Sequence, residues 1–484
     1  MRLHLLAAAT ALTLALAACA SGGSLQPNGR ALDAASLQAG RSLAGVRLSP
    51  AGWPTADWWT ALGDPQLDAL IDEALQDNPG LAVADARARG AQAQVGIADA
   101  ARGPDLNAGA SVAGARLPAS IPLGNGHFGL AKYADLSFNW GIDLWGGKRD
   151  AWQAALGAAR AAQVDARAAR IELSGNVARA YARLGYAFAQ QDLAAGELKR
   201  ARQSRELTRQ RVSAGIDNRI VLQQADGEVA SAERDVAVTA RAVDAARSAL
   251  SVLLGKGPDR GLAIGRPRVL TPAELAVPAN LPIGLLGHRA DLVAARWRVE
   301  AAGKDIKAAK TAFLPNISIG AMAGVIALGG GSPLSLPSRF FELGPSLSLP
   351  IFDGGRLRAN LAGRDAQYDL AVAQYNQTLV GALNEVADDV SALQSLQRQL
   401  QAQQRAQAAA RQAWELALQR YQAGIGSYLE ALSVRQQLLL ANRGMAALQA
   451  EQVDRSVLLI EALGGGYQPQ AGAPAPPSST PSRS

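Results

Sequence analysis

From Gly103-Pro104 onward the chain alternates apolar and polar residues with a period of two. Residues 133–144 show it best. Ala134, Leu136, Phe138, Trp140, Ile142 and Leu144 fall on one face, and Tyr133, Asp135, Ser137, Asn139 and Asp143 on the other. Residues 106–114 alternate more weakly, with small side chains, and a Pro/Gly/Asn-rich stretch (Pro118 to Gly126) lies between the two. Such alternation, broken by turn residues, predicts a β-hairpin. The pattern recurs in the second half. Ile317, Ile319, Ala321, Ala323 and Val325 alternate with Asn316, Ser318 and Gly320. Phe341, Leu343, Leu347, Leu349 and Ile351 alternate with Glu342, Gly344, Ser346 and Ser348, across a loop from Gly329 to Ser338. Four strands of about ten residues, apolar on one face, fit transmembrane β-barrel segments. The same period also fits two soluble hairpins laid on a core. Four strands cannot close a barrel, and open edges are not tolerated in lipid. Either the barrel is shared between chains or the strands are not in a membrane.

Each hairpin leads into a long helical run, predicted from about Lys148 to Val212 and from about Leu357 to Tyr421. Val177, Tyr181, Leu184 and Phe188 form one apolar stripe; Leu379, Leu383, Val386, Val390 and Leu393 form another, in steps of four and three. After a glycine turn, Leu222, Val229, Val236, Val243 and Leu250 recur every seven residues, as do Leu432, Leu439, Val453 and Ile460 within their run. Steps averaging 3.5 indicate coiled-coil packing. A helix of some sixty-odd residues is roughly 100 Å long.

The two turns are near copies. Arg420-Tyr421-Gln422-Ala423-Gly424-Ile425-Gly426 lies 209 residues after Arg211-Val212-Ser213-Ala214-Gly215-Ile216-Asp217. Leu253-Leu254-Gly255 and Ala462-Leu463-Gly464 keep that offset, and Trp145-Gly146-Gly147-Lys148 matches Asp353-Gly354-Gly355-Arg356 at 208. A constant shift over more than a hundred residues indicates duplication. The tips differ in detail: Asp217-Asn218 in the first is Gly426-Ser427 in the second. The predicted organisation is an export signal over 1–18 and an extended segment over 19–64. A first repeat follows over 65–255, with its hairpin at 105–145 and tip at 211–219. A Pro/Gly-rich linker over 256–287 leads to a second repeat over 288–465, with its hairpin at 316–351 and tip at 420–428, and a disordered tail over 466–484. Within the first repeat, Asp64-Pro65 starts a helix that breaks or kinks at Asn78-Pro79.

Composition narrows the chemistry. Apolar residues are 49% of the chain but aromatics only 5%, which suits Ala-rich helices packed closely side by side. The net charge is +7 and the pI about 9.7, yet acids interleave with bases and no Lys/Arg block carries aromatics. The charge therefore reads as solvated helix faces, with no nucleic-acid partner. Three His and one Cys leave no composition for a His/Cys metal site. There is no nucleophile elbow and no phosphate loop. Gly329-Gly330-Gly331 is not directly followed by a helix pattern. The reading is of a protein without enzymatic chemistry, metal or cofactor.

Leu5 to Ala18 is too short to span a bilayer and ends at Cys19, the single cysteine. Leu16-Ala17-Ala18-Cys19 resembles the lipobox of bacterial lipoproteins, which implies lipidation at Cys19; an ordinary cleavage site is the other reading. Ala20, rather than Asp, implies the outer membrane by the same resemblance. One lipid site anchors without spanning.

Taken in order, the lipobox, Trp58-Trp59 with Asp64-Pro65, Asn78-Pro79, Arg289-Ala290-Asp291 leading to Phe313-Leu314-Pro315, Phe352-Asp353-Gly354-Gly355 and Arg420-Tyr421-Gln422-Ala423-Gly424 resemble a TolC-like outer-membrane efflux factor. The branch is that of NodT-type lipoproteins serving RND (resistance-nodulation-division) pumps. The resemblance covers residues 1 to about 465. It implies an α+β membrane protein: a homotrimer in which each chain gives four strands to a twelve-stranded β-barrel, continued by a long α-helical barrel across the periplasm. It implies a passive exit duct in the outer membrane, joined to a periplasmic adaptor and an inner-membrane RND pump. The residues after the second tip, Leu429 and Glu430, would narrow the pore. Ser433 stands where the family often has a second acid, so the acidic ring would be weaker. Gly215, Ile216, Asp217, Gly424, Ile425 and Gly426 would meet the adaptor. A type I secretion duct and a non-channel, lipidated coiled-coil scaffold are the alternatives.

Overall fold

The computed structural model describes residues 25–468, apart from 38, 44–47, 50–52, 117, 119–127, 273–276, 279–280, 329–331 and 333. Cys19 and residues 469–484 lie outside the described residues.

Helix α1 (Pro65–Asp77) begins where Asp64 Oδ1 accepts from Gln66 N at 3.0 Å and Pro65 fills a first-turn position needing no N–H. The other Asp64 oxygen accepts from Tyr181 Oη at 2.7 Å and Arg268 N at 2.8 Å. Asn78 precedes a proline, so its backbone is extended and the helical run breaks there. Its Oδ1 caps α2 (Pro79–Ala100) through Gly80 N at 2.7 Å, while its Nδ2 donates to Leu253 O at 2.7 Å.

Next come β1 (Asp105–Arg116), β2 (Phe128–Ile142), the long helix α3 (Gly147–Ser213) and α4 (Arg219–Leu253). Short helices α5 (Pro258–Leu262) and α6 (Leu281–His288) lead to α7 (Ala290–Thr311). Then β3 (Asn316–Leu328), β4 (Arg339–Ser348), α8 (Arg356–Gln422) and α9 (Tyr428–Ala462) follow. Helices α3 and α8 each run 67 residues, and α4 and α9 each run 35. Among the described residues no helix is long and apolar enough to cross a membrane.

The four strands form one antiparallel sheet in the order β1-β2-β3-β4. Its register puts Leu106, Phe138, Ala321 and Leu343 in one row, with Ala108, Leu136, Ala323 and Phe341 in the next. One face of the sheet is therefore apolar across all four strands. The other carries Asp105, Asn107, Asp135, Ser137, Asn139, Ser318, Glu342 and Ser346. Leu349 and Ile351, expected to continue the last strand, lie beyond it. Pro350 between them has no N–H for a ladder.

The strand-to-helix junctions explain the matched Gly-Gly landmarks. Asp143 accepts from the backbone N–H groups of Lys148 (3.0 Å) and Arg149 (2.9 Å) at the start of α3. Asp353 does the same for Gly355 (3.0 Å) and Leu357 (2.8 Å) at α8. Gly146 (φ 75°) and Gly355 (φ 88°) hold left-handed backbone that side chains resist.

Among the described residues, two large clusters form much of the core. One gathers Trp58, Leu67 and Ile71 against Val177, Tyr181 and Leu184 of α3 and Leu250 of α4. The other joins Leu285, Leu292 and Val299 to Leu379, Val386 and Val390 of α8. Arg289 ties the second cluster together, donating to Asp291 (2.7 Å), Glu385 (2.7 Å) and Ala462 O (3.1 Å). The stretch expected as a linker, residues 256–287, carries short elements among its described residues. It holds α5 and most of α6, and Val277–Pro278 pairs in parallel with Leu48–Ser49. The N-terminal segment lies along α8, where Gly29 N donates to Asp369 Oδ1 (2.6 Å) and Leu32 N to Asn376 Oδ1 (2.8 Å). The disordered tail was expected from 466, yet Tyr467 is buried against Trp297 and Val164, and a Cβ at Gly466 would strike Thr55.

Near the end of α9, Glu461 lies against Gly175 of α3, where a Cβ would collide with its carboxylate. Burial pushes the Glu461 carboxyl up to about 7; Arg179 opposes this, and Glu172, Asp454 and Asp389 add to it. The folded value exceeds the ordinary 4.5, so this group's stability is fully present below that ordinary value and is lost as pH rises through about 7. Glu461→Gln is expected to stabilise the fold at pH 8 by up to about 3 kcal/mol, read as a raised thermal midpoint, and to leave the midpoint nearly unchanged at pH 4. Equal effects at both pH values would overturn this assignment.

Candidate functional site

The two tips converge at the far end of the long helices. In the first, Ile216 N and Asp217 N both bond Arg211 O (2.8 and 3.3 Å), and Asn218 Oδ1 caps α4 through Ile220 N at 2.9 Å. In the second, Ile425 N and Gly426 N both bond Arg420 O at 3.1 Å, and Ser427 Oγ accepts from Glu430 N at 3.1 Å. Gly215 (φ 72°) and Gly424 (φ 78°) have open space around them. Backbone angle therefore requires these glycines, and lack of room does not. Gly426 differs: a Cβ there would press on Arg420 and Tyr421.

Inside the tips, Ala225, Ala417, Tyr421, Tyr428 and Ala431 make a small core. Tyr421 is its hub. Its ring lies 5.8 Å from that of Tyr428, and the Arg211 guanidinium sits over it at 4.7 Å. Its hydroxyl is 3.1 Å from Thr208 Oγ1 and donates to Asp217 Oδ2 at 3.2 Å. Arg211 completes the network, with Nε and Nη2 donating to Asp217 (2.8 and 3.3 Å) and Nη1 to Tyr421 O (3.1 Å). The Arg211 hydrogen bonds hold the Asp217 carboxyl below the usual range against a smaller opposing effect of burial. Burial pushes the Tyr421 hydroxyl up. Four groups from α3, its tip and the end of α8 thus latch one tip to the other.

Just beyond, Leu429, Glu430 and Ser433 share an exposed face of α9, while Tyr428, Ala431 and Arg435 are buried on the opposite face. Glu430 lies 3.8 Å from Arg420, in a pair about half exposed. Arg435 pairs with Glu197 of α3, both nearly buried, and Arg443 reaches Asp235 of α4 at 3.1 Å. The face bearing Leu429 is therefore held by ion pairs behind it.

Of the residues singled out in the sequence, Ile216 and Ile425 are exposed at the tip, 62% and 70%; Asp217 points inward to the latch. Sequence reasoning had not singled out Thr208, Arg435 or Glu197, had used Arg211 only as a repeat landmark, and had taken Tyr421 as a repeat and family landmark on an apolar helical register. One signal was available: Arg211 has an acid six residues on, whereas Arg420 has Gly426 and turns instead to Glu430. Among the described residues no group of three His, Cys, Asp or Glu is placed to hold a metal ion.

Two stretches of the chain, residues 70–256 and 281–465, match the family model for the outer membrane efflux protein. The chain is 37% identical over 371 residues to the fusaric acid resistance protein FusA of Burkholderia cepacia, covering 74% of this chain and 69% of that protein. It is 31% identical over 436 residues to the multidrug resistance outer membrane protein MdtP of Escherichia coli K12, covering 87% and 89%. The crystal structure of the outer membrane protein VceC from Vibrio cholerae matches with a TM-score of 0.79 at 36% identity, covering 86% of this chain and 100% of that one. With both halves matched and the fold shared, the chain belongs to the outer membrane efflux protein family.

Proposed function

We propose that three copies of this chain form the outer-membrane exit duct of a tripartite efflux system, with four strands per chain closing a twelve-stranded barrel. The observation that carries this is the sheet itself. Its apolar face is bare, with Leu343 76% and Phe341 89% exposed, and its outer strands β1 and β4 each leave an edge unpaired within the chain. Lipid satisfies the bare face, and pairing of β4 with β1 of the next chain closes the edges. The polar face then lines the lumen, and the paired long helices, repeated in the two halves by duplication, continue it as a tube roughly 100 Å long.

The duct is passive. An inner-membrane RND pump supplies the energy through a periplasmic adaptor, which meets the exposed tips around Gly215, Ile216, Gly424 and Ile425. Leu429, Glu430 and Ser433 form the periplasmic constriction. Cys19 carries the lipid anchor. The names of the relatives, fusaric acid resistance and multidrug resistance, support small molecules as cargo. In planar bilayers the purified trimer is expected to conduct ions poorly, and Leu429→Ala with Glu430→Ala to raise the conductance severalfold. Well-folded trimers that never conduct would overturn the duct.

A further inference from the structure

Charge is divided cleanly between the two faces of the sheet. All strand carboxylates among the described residues, Asp105, Asp135 and Glu342, lie on the polar face. The apolar face has none, but it carries three bases: Arg116, Lys132 and Arg339. All three stand toward the loop end. Arg116 is the last residue of β1, Arg339 the first of β4, and Lys132 lies four residues into β2. From each base its strand runs apolar or small to the other end, ten residues to Leu106, ten to Ile142 and eight to Leu347. At about 3.3 Å per residue and a tilt of about 40°, these runs rise roughly 20–25 Å, close to the height of a barrel's apolar band. The bases therefore mark the outer border of the band, where a cation is tolerated, and not its centre, where it is strongly unfavourable.

Border position alone permits bases; it does not explain the missing acids. Lys132 is flanked across the ladder by Val112 and Ala327, and Arg339 by Val325. The carboxylates cannot help, because they project from the opposite side of the sheet. Among the described residues the side chains of Lys132 and Arg339 have no ion-pair partner. Arg116 lies on one open edge and Arg339 on the other, so closure of the barrel brings them to the same seam, with Lys132 one strand in. The counter-charge of Lys132 and Arg339 must then come from the surrounding lipid. Guanidinium groups suit phosphate, which they grip through two parallel N–H bonds.

We propose that Arg339 of one chain, with Arg116 and Lys132 of the next, forms a site at each seam for the phosphorylated headgroup of an outer-leaflet glycolipid. The site rests on the trimeric barrel reading. The test uses full-length trimer in phosphatidylcholine nanodiscs, with diphosphoryl lipid A or its dephosphorylated form added, read by native mass spectrometry. Diphosphoryl lipid A is expected to be retained, one copy per seam, at least about tenfold better than the dephosphorylated lipid. Lys132→Gln with Arg339→Gln should lose that preference while still conducting in planar bilayers, and Lys132→Arg with Arg339→Lys should keep it. Equal retention of both lipids, retention by the Gln variant, or displacement by millimolar inorganic phosphate would each overturn the site while the conducting trimer stands. Absence of any trimer would instead fail the barrel reading, and the site with it.

Discussion

Leu136→Arg is expected to remove the folded trimer from membranes, whereas Ser137→Arg, one residue away, leaves it in place. Leu136 sits midway between Lys132 and Trp140 on the apolar face, in a row with Ala108, Ala323 and Phe341. An arginine at the middle of a barrel's lipid face costs about 2–4 kcal/mol, and in the proposed trimer it is repeated three times. The roughly 6–12 kcal/mol total rivals the entire stability of many folded domains. Ser137 faces the polar side, beside Asn107, with its hydroxyl 3.4 Å from Asn107 O, and a charge there meets water. Heat-resistant trimer in membrane fractions, followed on gels, reads both variants. Equal survival of the two would mean that the apolar face does not meet lipid.

At the other end of the molecule, Asp217→Asn is expected to loosen the tips. The Arg211–Asp217 pair is nearly buried, with side chains 12% and 16% exposed, so the loss is not screened away as it would be at an open surface. Removing the charge while keeping the shape should weaken the latch by about 2 kcal/mol, or about thirtyfold in the population of released tips. Open time in planar bilayers measures it. The pH dependence has a fixed sign. Asp217 titrates below its ordinary 3.8 in the folded chain, so the latch is intact above that value and is lost only as pH falls through the lowered one. Wild-type channels should therefore open spontaneously in strong acid, and the Asn variant should show no such transition. An unchanged open time in the variant would show that the latch does not restrain the pore.

Much of this was legible in the sequence because period carries it. Alternation in 133–142 and 316–325 placed the strands and their faces, and the stripe Val177, Tyr181, Leu184 named core residues that are fully buried. The break at Asn78 followed from a proline. Within the linker, Pro and Gly density signals turns and hides the contacts, distant in sequence, through which Leu281, Leu285 and Leu286 pack. The latch was invisible for a similar reason. Thr208 and Tyr421 lie 213 residues apart, and only the meeting of the two tips makes them neighbours. Resemblance, rather than pattern, pointed to Leu429 and Glu430.

The capped junctions have a mechanical consequence. Asp143 directly follows β2 and binds the first turn of α3, so that long helix is held at the sheet, while Asp353 caps α8 from within the seven-residue connection after β4. A rod of roughly 100 Å held at one end magnifies small rotations. Each degree of tilt at the anchored end sweeps the far tip through about 1.7 Å, taking that same rod length. A few degrees at the anchored end would carry the tip through roughly 5 Å. In the proposed duct, the far ends of the chain would then open like an iris while the anchored root of α3 moves little.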